Sequence, residues 1–446
     1  MTVIAKILHP IAGPNCYTTA SEVATMEFAR SVLGVPIPEV YAWSADCENP
    51  VGSEYIIMQE APGEKLEDVW PGMSLEKKVK IMKDVVSIEK KMLSASLNRH
   101  GSLYFTNDSI VGAVEAEVTG NVTATVKEDV KQRFSIGPVA ARDYWNKERA
   151  AMSLDRGPWK QPQDYIQSLV RRELAWIQQY AIPRSHDDPL LSSESQNSPS
   201  THVSLLERFL KVSPFLLPDD PTVTAPHIWH TDLHGGNIFV EQGKISSIID
   251  WQGIWTEPLI LRARHPRLVD HNGEFILKAP ENFKDLDSGE KERIWDQISR
   301  SIILYLYEKE LIEEAPLVNK ILRLESGRIR CDPIQFVGGT WDDELLPLRD
   351  SLIKVERYWD SIGFKFPCPI HFSEEELRTH AAEGDGWNEV QDFWDAIENL
   401  VTRDGWTPYD RYDDAVAFFT ELRETRLKTM AGKEREDFKR QTEWID

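Results

Sequence analysis

The stretch His230-Thr231-Asp232-Leu233-His234-Gly235-Gly236-Asn237-Ile238-Phe239-Val240, followed by Ile248-Ile249-Asp250-Trp251, decides the reading of this chain. An Asp and an Asn stand five residues apart on a polar, glycine-bearing loop that runs into an apolar strand. A second apolar run, residues 245–249, ends on Asp250, 13 residues beyond Asn237. Gly243 between the two runs makes a hairpin that brings Asn237 and Asp250 side by side. Such a pair of oxygen donors suits Mg²⁺, a hard ion that keeps several waters and shares a few side chains with phosphates. Asp232 stays apart from such a metal, free to orient a hydroxyl and receive its proton. A lone Asp or Asn in a loop ordinarily serves a turn or a cap; three of them at this spacing, flanked by apolar strands, do not fit that reading. His227, His230 and His234 fall at i, i+3 and i+7, but Gly235-Gly236 forbids a helix there, so they read as loop residues rather than a zinc set.

Around this motif the composition is that of a large folded chain. Its 446 residues are 41 % hydrophobic and 28 % charged, enough to bury a sizeable core in two to four domains or one two-lobed body. The balance of 51 basic against 73 acidic residues, −22, argues against a nucleic-acid binder, which has to neutralise phosphates broadly. The longest apolar runs fall far short of the ~20 residues that span a bilayer, so no membrane span is expected. Four cysteines without a C-x-x-C pair do not make a disulfide framework and point to a reducing, intracellular setting.

Upstream, residues 2–8 read as a strand carrying Lys6, and residues 9–14 as a Pro/Gly loop. Thr18 or Thr19 is the expected cap of a helix ending near Leu33. Short strands follow at residues 40–43 and 55–58, the second stopping at Gln59-Glu60-Ala61-Pro62-Gly63. Helical spacing predicts a long helix over residues 74–94 and another over 163–180. Residues 107–145 read as an irregular or β-rich insertion, and 185–200 as a surface loop. Downstream, helices are expected at 292–314, 345–362, 373–382, 387–402 and 409–430, with a charged helical tail from 433 to 446. No internal repeat is visible.

His-x-Asp-x-x-x-x-Asn with an Asp 13 residues on resembles the catalytic and metal loops of protein-kinase-like enzymes. The wording H-x-D-L-H-x-G-N-I-F-V and then I-D-W is similar to the aminoglycoside phosphotransferase and choline kinase branch. Ala20-Ser-Glu-Val-Ala-Thr-Met-Glu-Phe-Ala-Arg30, Gly101-Ser-Leu-Tyr-Phe105, Asp155-Arg-Gly-Pro-Trp159 and Arg172-Glu-Leu-Ala-Trp176 resemble a fungal group that includes the altered inheritance of mitochondria protein 9 family. The resemblance implies roles at matching positions. Lys6 matches the lysine that grips the α/β-phosphates and Glu22 its ion-pair partner. Met58 falls at the gatekeeper position, with the Gln59 carbonyl and Ala61 amide as the adenine-binding hinge. Asp232 matches the catalytic base, Asn237 and Asp250 the Mg²⁺ ligands, and His230 a buttress of the catalytic loop. Catalysis of this kind is positioning plus electrostatic stabilisation of an in-line transfer. Asp250-Trp251-Gln252 lacks the glycine of D-F-G, a departure this branch tolerates.

The resulting expectation is an α/β (α+β) protein-kinase-like fold of two lobes: a small N-lobe at residues 1–63, a mainly helical C-lobe at 64–330, and a C-terminal helical extension at 331–446 packed on it. Only five residues precede Lys6, so the small lobe is expected to be truncated, without the phosphate-covering hairpin the resemblance implies. The expected activity is transfer of the γ-phosphoryl group of ATP, with GTP as alternative donor, to a hydroxyl of a small molecule. A choline- or homoserine-kinase-like enzyme differs from this only in its acceptor. The competing reading is a catalytically impaired, pseudokinase-like binding or scaffold protein. Location is mitochondrial by resemblance and otherwise cytoplasmic.

Overall fold

A computed structural model describes residues 2–9, 12–184, 191–269, 271, 273–402 and 407–441. The chain divides into two compact units, Met1–Ala181 with His202–His371, and Ile182–Thr201 with Phe372–Asp446. The first unit is α+β, with a small antiparallel sheet and helix leading into a mainly helical body.

Strands β1 (Val3–Ile7), β2 (Val40–Ser44) and β3 (Tyr55–Gln59) form one antiparallel sheet in the order β1-β3-β2, with Lys6 opposite Ile56. Helix α1 (Tyr17–Ser31) runs between β1 and β2. Its expected cap is corrected: Thr18 and Thr19 lie inside the helix, and Thr18 Oγ1 donates to the Pro14 carbonyl. The helix starts instead after Cys16, at φ 68°, whose amide donates to Glu54 Oε1 at 2.6 Å. A carboxylate from the residue before β3 thus faces the positive end of the helix.

After the hinge come β4 (Glu64–Lys65), the one-turn α2 (Leu66–Val69) and the long α3 (Leu75–Met92), capped by the Ser74 hydroxyl. β5 (Ala95–Leu97) and β6 (Ser102–Phe105) follow, and the insertion then folds as β7 (Val114–Glu115), β8 (Val118–Gly120), α4 (Ala124–Arg133) and β9 (Phe134–Gly137). The sequence reading has no helix here. α4 buries only Val130, so it lacks the apolar stripe that a period search needs, and forms from its Thr123 cap onward. Strand β6 packs on α1, and Phe134 of the insertion meets Phe28 edge-on at 5.5 Å. With β2 and β3 also against it, α1 is buried on nearly every side, which is why Glu22 is 3 % exposed.

The body continues through α5 (Pro162–Tyr180), α6 (Pro199–Leu216), α7 (Pro221–Thr224), β10 (Pro226–His227), the hairpin β11 (Ile238–Glu241) and β12 (Lys244–Ile248), β13 (Glu257–Pro258), α8 (Leu259–Arg262), α9 (Ser288–Glu314), α10 (Pro316–Leu322), α11 (Gly327–Phe336) and α12 (Leu345–Arg357). Of the expected surface loop at 185–200, residues 185–190 lie outside the described residues, and Pro199 already begins a helix. In the second unit, α13 (Glu374–Ile397) is one helix where two were expected, running through Gly384 and Gly386. Its start is a full capping box between Ser373 and Glu376. α14 (Tyr412–Thr429) and α15 (Gly432–Gln441) follow. Among the described residues no helix is long and apolar enough to cross a membrane.

The core of the first unit lies between α3 and α9, where Ile81, Met82, Val85, Val86 and Met92 meet Ile303, Tyr307 and Leu311. One acid sits within it. Glu89 is fully buried and accepts hydrogen bonds from Tyr307 Oη at 2.8 and 3.0 Å. Burial pushes its carboxyl up to about 8, against the Tyr307 hydrogen bond that opposes the shift. The folded state therefore holds a proton that the unfolded state releases near roughly 4.3. The benefit of that proton is complete below the unfolded value and is lost as the pH rises to about 8. Glu89→Gln keeps the shape without the charge, so its melting temperature is expected to fall less than wild type between pH 6 and 8.5. Parallel melting curves in calorimetry across that range would contradict the assignment.

Candidate active site

The loop of His230, Asp232 and Asn237 is held in place from three sides. β11 and β12 pair in antiparallel register, Ile238 opposite Ile248, and the turn residues Gln242 and Gly243 both have positive φ, as a tight hairpin turn requires. On its other edge β11 pairs with β4. Gly63, at φ 95°, is what lets the hinge approach: a Cβ there would lie 2.2 Å from the Val240 carbonyl oxygen. Gly235 and Gly236 play the same part against α2, where a Cβ would press on Glu67. Finally, the Ile248 amide donates to the Pro36 carbonyl at 2.8 Å, tying the hairpin to the start of the small sheet.

On this frame the loop residues form one hydrogen-bonded set. The Ile249 amide donates to the Asn237 carbonyl at 3.0 Å, which places the residue before Asp250 directly beside Asn237. Asn237 Nδ2 donates to the Asp232 carbonyl at 3.1 Å and to Asp232 Oδ2 at 3.3 Å, leaving the amide oxygen as its remaining acceptor. His230 Nδ1 accepts from the Asp232 amide at 3.3 Å, so the ring proton is on Nε2, which donates to the Ile249 carbonyl at 3.0 Å. The ring stands edge-on to Trp251 at 4.9 Å, and burial lowers its pKa, keeping it neutral. His230 is thus a brace between the loop of Asp232 and the loop of Asp250. His234 Nδ1 accepts from the Gly236 amide at 3.0 Å, and His227 Nδ1 lies 3.1 Å from the Ala225 carbonyl.

Lys6 reaches the same place from β1. Its Nζ lies 2.7 and 2.9 Å from the two carboxylate oxygens of Glu22 and 3.9 Å from Asp250 Oδ1. Burial raises the Glu22 carboxyl, and the Lys6 ammonium pulls it back. Asp250 has φ 63°, a left-handed conformation that a non-glycine residue holds at a cost of order 1 kcal/mol or more. Its side chain is half exposed. Glu22 and Asp250, 16 and 244 positions from Lys6 in sequence, therefore converge on its ammonium group. Gln252 Nε2 also reaches back to the Ala12 carbonyl at 3.4 Å. At the hinge, the Gln59 amide donates to the Glu39 carbonyl at 2.8 Å, and Met58 packs half-buried against the core. Among the described residues the Ala61 amide has no hydrogen-bond partner.

Two neighbours of this set are absent from the sequence reading. Glu67 lies over Gly235 and Gly236; the glycine pair is the available signal, since it marks a close approach by another segment. Arg267 brings Nε to 3.7 Å from Asp232 Oδ1, and nothing in its local sequence announces it.

A family model described as "Phosphotransferase enzyme family" matches residues 18–255, more than half of the chain and all of the set above except Lys6. The chain belongs to that family. Among its relatives, a subtelomeric hrmA-associated cluster protein of Aspergillus fumigatus is 32 % identical, over 94 % of this chain and 88 % of that one. Altered inheritance of mitochondria protein 9, mitochondrial, is 26 % identical in Saccharomyces cerevisiae over 92 % of this chain and 70 % of that protein. The Eremothecium gossypii protein of the same name is also 26 % identical, over 93 % of this chain and 71 % of that one. Among solved structures, a thermostable mutant of an aminoglycoside phosphotransferase, in its apo form, is similar at a TM-score of 0.35 and 14 % identity, over 79 % of this chain and 86 % of that one.

Proposed function

We propose that this member of the phosphotransferase family is a small-molecule kinase that transfers the γ-phosphoryl group of ATP to a hydroxyl of its acceptor. The observation that carries the reading is the convergence of Glu22 and Asp250 on the Lys6 ammonium, with His230 tying the loop of Asp250 to that of Asp232 and Asn237.

In this reading Lys6, oriented by Glu22, holds the α/β-phosphates, and the free Ala61 amide and Gln59 carbonyl receive the adenine beside Met58. The donor set fits Mg²⁺: an amide oxygen of Asn237 and a half-exposed carboxylate of Asp250, all hard oxygens. Among the described residues no three His, Cys, Asp or Glu side chains are grouped to hold a metal ion, so the remaining ligands fall to water and phosphate oxygens. When bound, Mg²⁺ neutralises charge on the phosphate oxygens. Asp232, steadied by Asn237, accepts the acceptor hydroxyl's proton, and His230 keeps its loop in register with Asp250 without touching the reacting atoms. Altered inheritance of mitochondria protein 9 bears a mitochondrial designation, which supports a mitochondrial setting here as a location to test by imaging the tagged protein.

A coupled assay of ADP or GDP release, run over a panel of hydroxyl compounds, tests the activity. Acceptor-dependent, Mg²⁺-dependent turnover is expected, with ATP preferred to GTP. Nucleotide binding without turnover on any acceptor would leave a binding protein in place of an enzyme.

A further inference from the structure

Resting on that reading of Asp232 as the proton acceptor, we infer that the acceptor is an anionic alcohol, carrying a carboxylate or phosphate beside its reacting hydroxyl, and that Arg267 is the residue that selects it. Four basic side chains stand in the six residues from Arg262 to Arg267. Three are committed to the fold. Arg262 forms an ion pair with the buried Glu257, Arg264 donates to Gln335 Oε1 at 2.6 Å, and His265 lies 3.2 Å from Glu308. Arg267 is the fourth. Its side chain is 75 % exposed, and among the described residues it makes no hydrogen bond; its one ionic neighbour is Asp232.

The backbone puts it there. The Leu268 amide donates to the Leu233 carbonyl at 3.3 Å, and the Val269 amide closes a turn on the Pro266 carbonyl at 2.9 Å. The segment after α8 is thereby stitched to the loop of Asp232, with Arg267 at the seam. The two carboxylate oxygens of Asp232 are differently occupied. Oδ2 faces Asn237 Nδ2 at 3.3 Å and His234 Nε2 at 3.5 Å, both groups held by the loop itself. Among the described residues Oδ1 faces only the guanidinium at 3.7 Å, too far for a hydrogen bond. Oδ1 is thus the oxygen open to an incoming hydroxyl, and any acceptor that reaches it lies against Arg267.

A planar guanidinium with unused donors matches a carboxylate or phosphate bidentately. An ammonium group in the same place would meet a like charge. In a chain of net charge −22, an uncommitted cation beside the proton acceptor selects against amine-bearing acceptors and for acids. A surface arginine resting near an acid is the bland alternative, and it predicts no dependence on acceptor charge.

The test uses the full chain in two steps. Calorimetry with Mg²⁺ and AMP-PNP first establishes the nucleotide site; failure there overturns the kinase reading itself and is seen separately. ADP release is then measured over matched three- to six-carbon alcohols: hydroxy acids and alcohol phosphates such as D-glycerate and glycerol 3-phosphate, neutral polyols such as glycerol, and amino alcohols such as 3-amino-1,2-propanediol and choline. Turnover confined to the anionic set is expected. Arg267→Ala should raise KM for those acceptors tenfold or more with a smaller change in kcat, Arg267→Lys should recover part of the loss, and AMP-PNP affinity should hold in both. Turnover of neutral or amine-bearing acceptors that Arg267→Ala leaves unchanged would overturn the proposal, as would a nucleotide-binding protein that no anionic alcohol stimulates.

Discussion

Asp232→Asn is expected to lower kcat by about 10²–10⁴-fold while Mg·AMP-PNP affinity stays within about twofold of wild type. The substitution keeps the shape of the side chain but removes the site that takes a proton. Two of its present contacts limit the collateral damage. The Asp232 amide bond to His230 and the Asp232 carbonyl bond to Asn237 are made by backbone, so the loop geometry survives the change. What is lost is the carboxylate itself, with its contact from Asn237 Nδ2. Stopped-flow or steady-state kinetics beside calorimetry separates the two quantities. If the variant turned over acceptor at the wild-type rate, Asp232 would not be the proton acceptor, and the inference about Arg267 would fall with it.

Lys6→Met carries the second large effect, a fall in kcat/KM of about 10²-fold or more, the scale of losing one preorganised charge from a transferring group. Methionine keeps the reach of the stem along β1 and removes the ammonium. Glu22 is then left buried without its counter-charge, an arrangement that costs several kcal/mol unless the carboxyl takes up a proton. The double variant Lys6→Met with Glu22→Gln should therefore be more stable than Lys6→Met alone, yet no more active. Additive losses in both stability and activity would mean that the two side chains act independently, and that their 2.7 Å contact is incidental.

Much of this site is legible in the sequence because it is built from local rules. The hairpin between Asn237 and Asp250 follows from two apolar runs with a Gln242-Gly243 turn, and strand alternation then fixes which residues stand beside each other. Lys6 and Glu22 are joined by a strand–loop–helix step whose length the spacing already limits. Other elements leave no local signal, for identifiable reasons. α4 carries one buried residue and so has no periodic signal. Gly384 and Gly386 look like a break between two helices, but α13 passes through both, since a helix tolerates glycine at roughly 1 kcal/mol each. The cap of α1 comes from Glu54, 38 residues later and just before β3, a tertiary contact that no local pattern contains. Arg267 lies beyond reach for the same reason: one backbone bond between Leu268 and Leu233 brings it to Asp232.

Thermal unfolding of the purified chain with ATP, with and without Mg²⁺, tests most directly whether Lys6, Asn237 and Asp250 make a working Mg·nucleotide site. At about 100 times its dissociation constant a ligand adds about 2.7 kcal/mol, a rise in Tm of about 4 °C for a unit of this size. The predicted result is a rise that requires Mg²⁺ and vanishes in Asp250→Ala. A folded protein whose Tm saturating Mg·ATP does not move, or moves equally in Asp250→Ala, would contradict it.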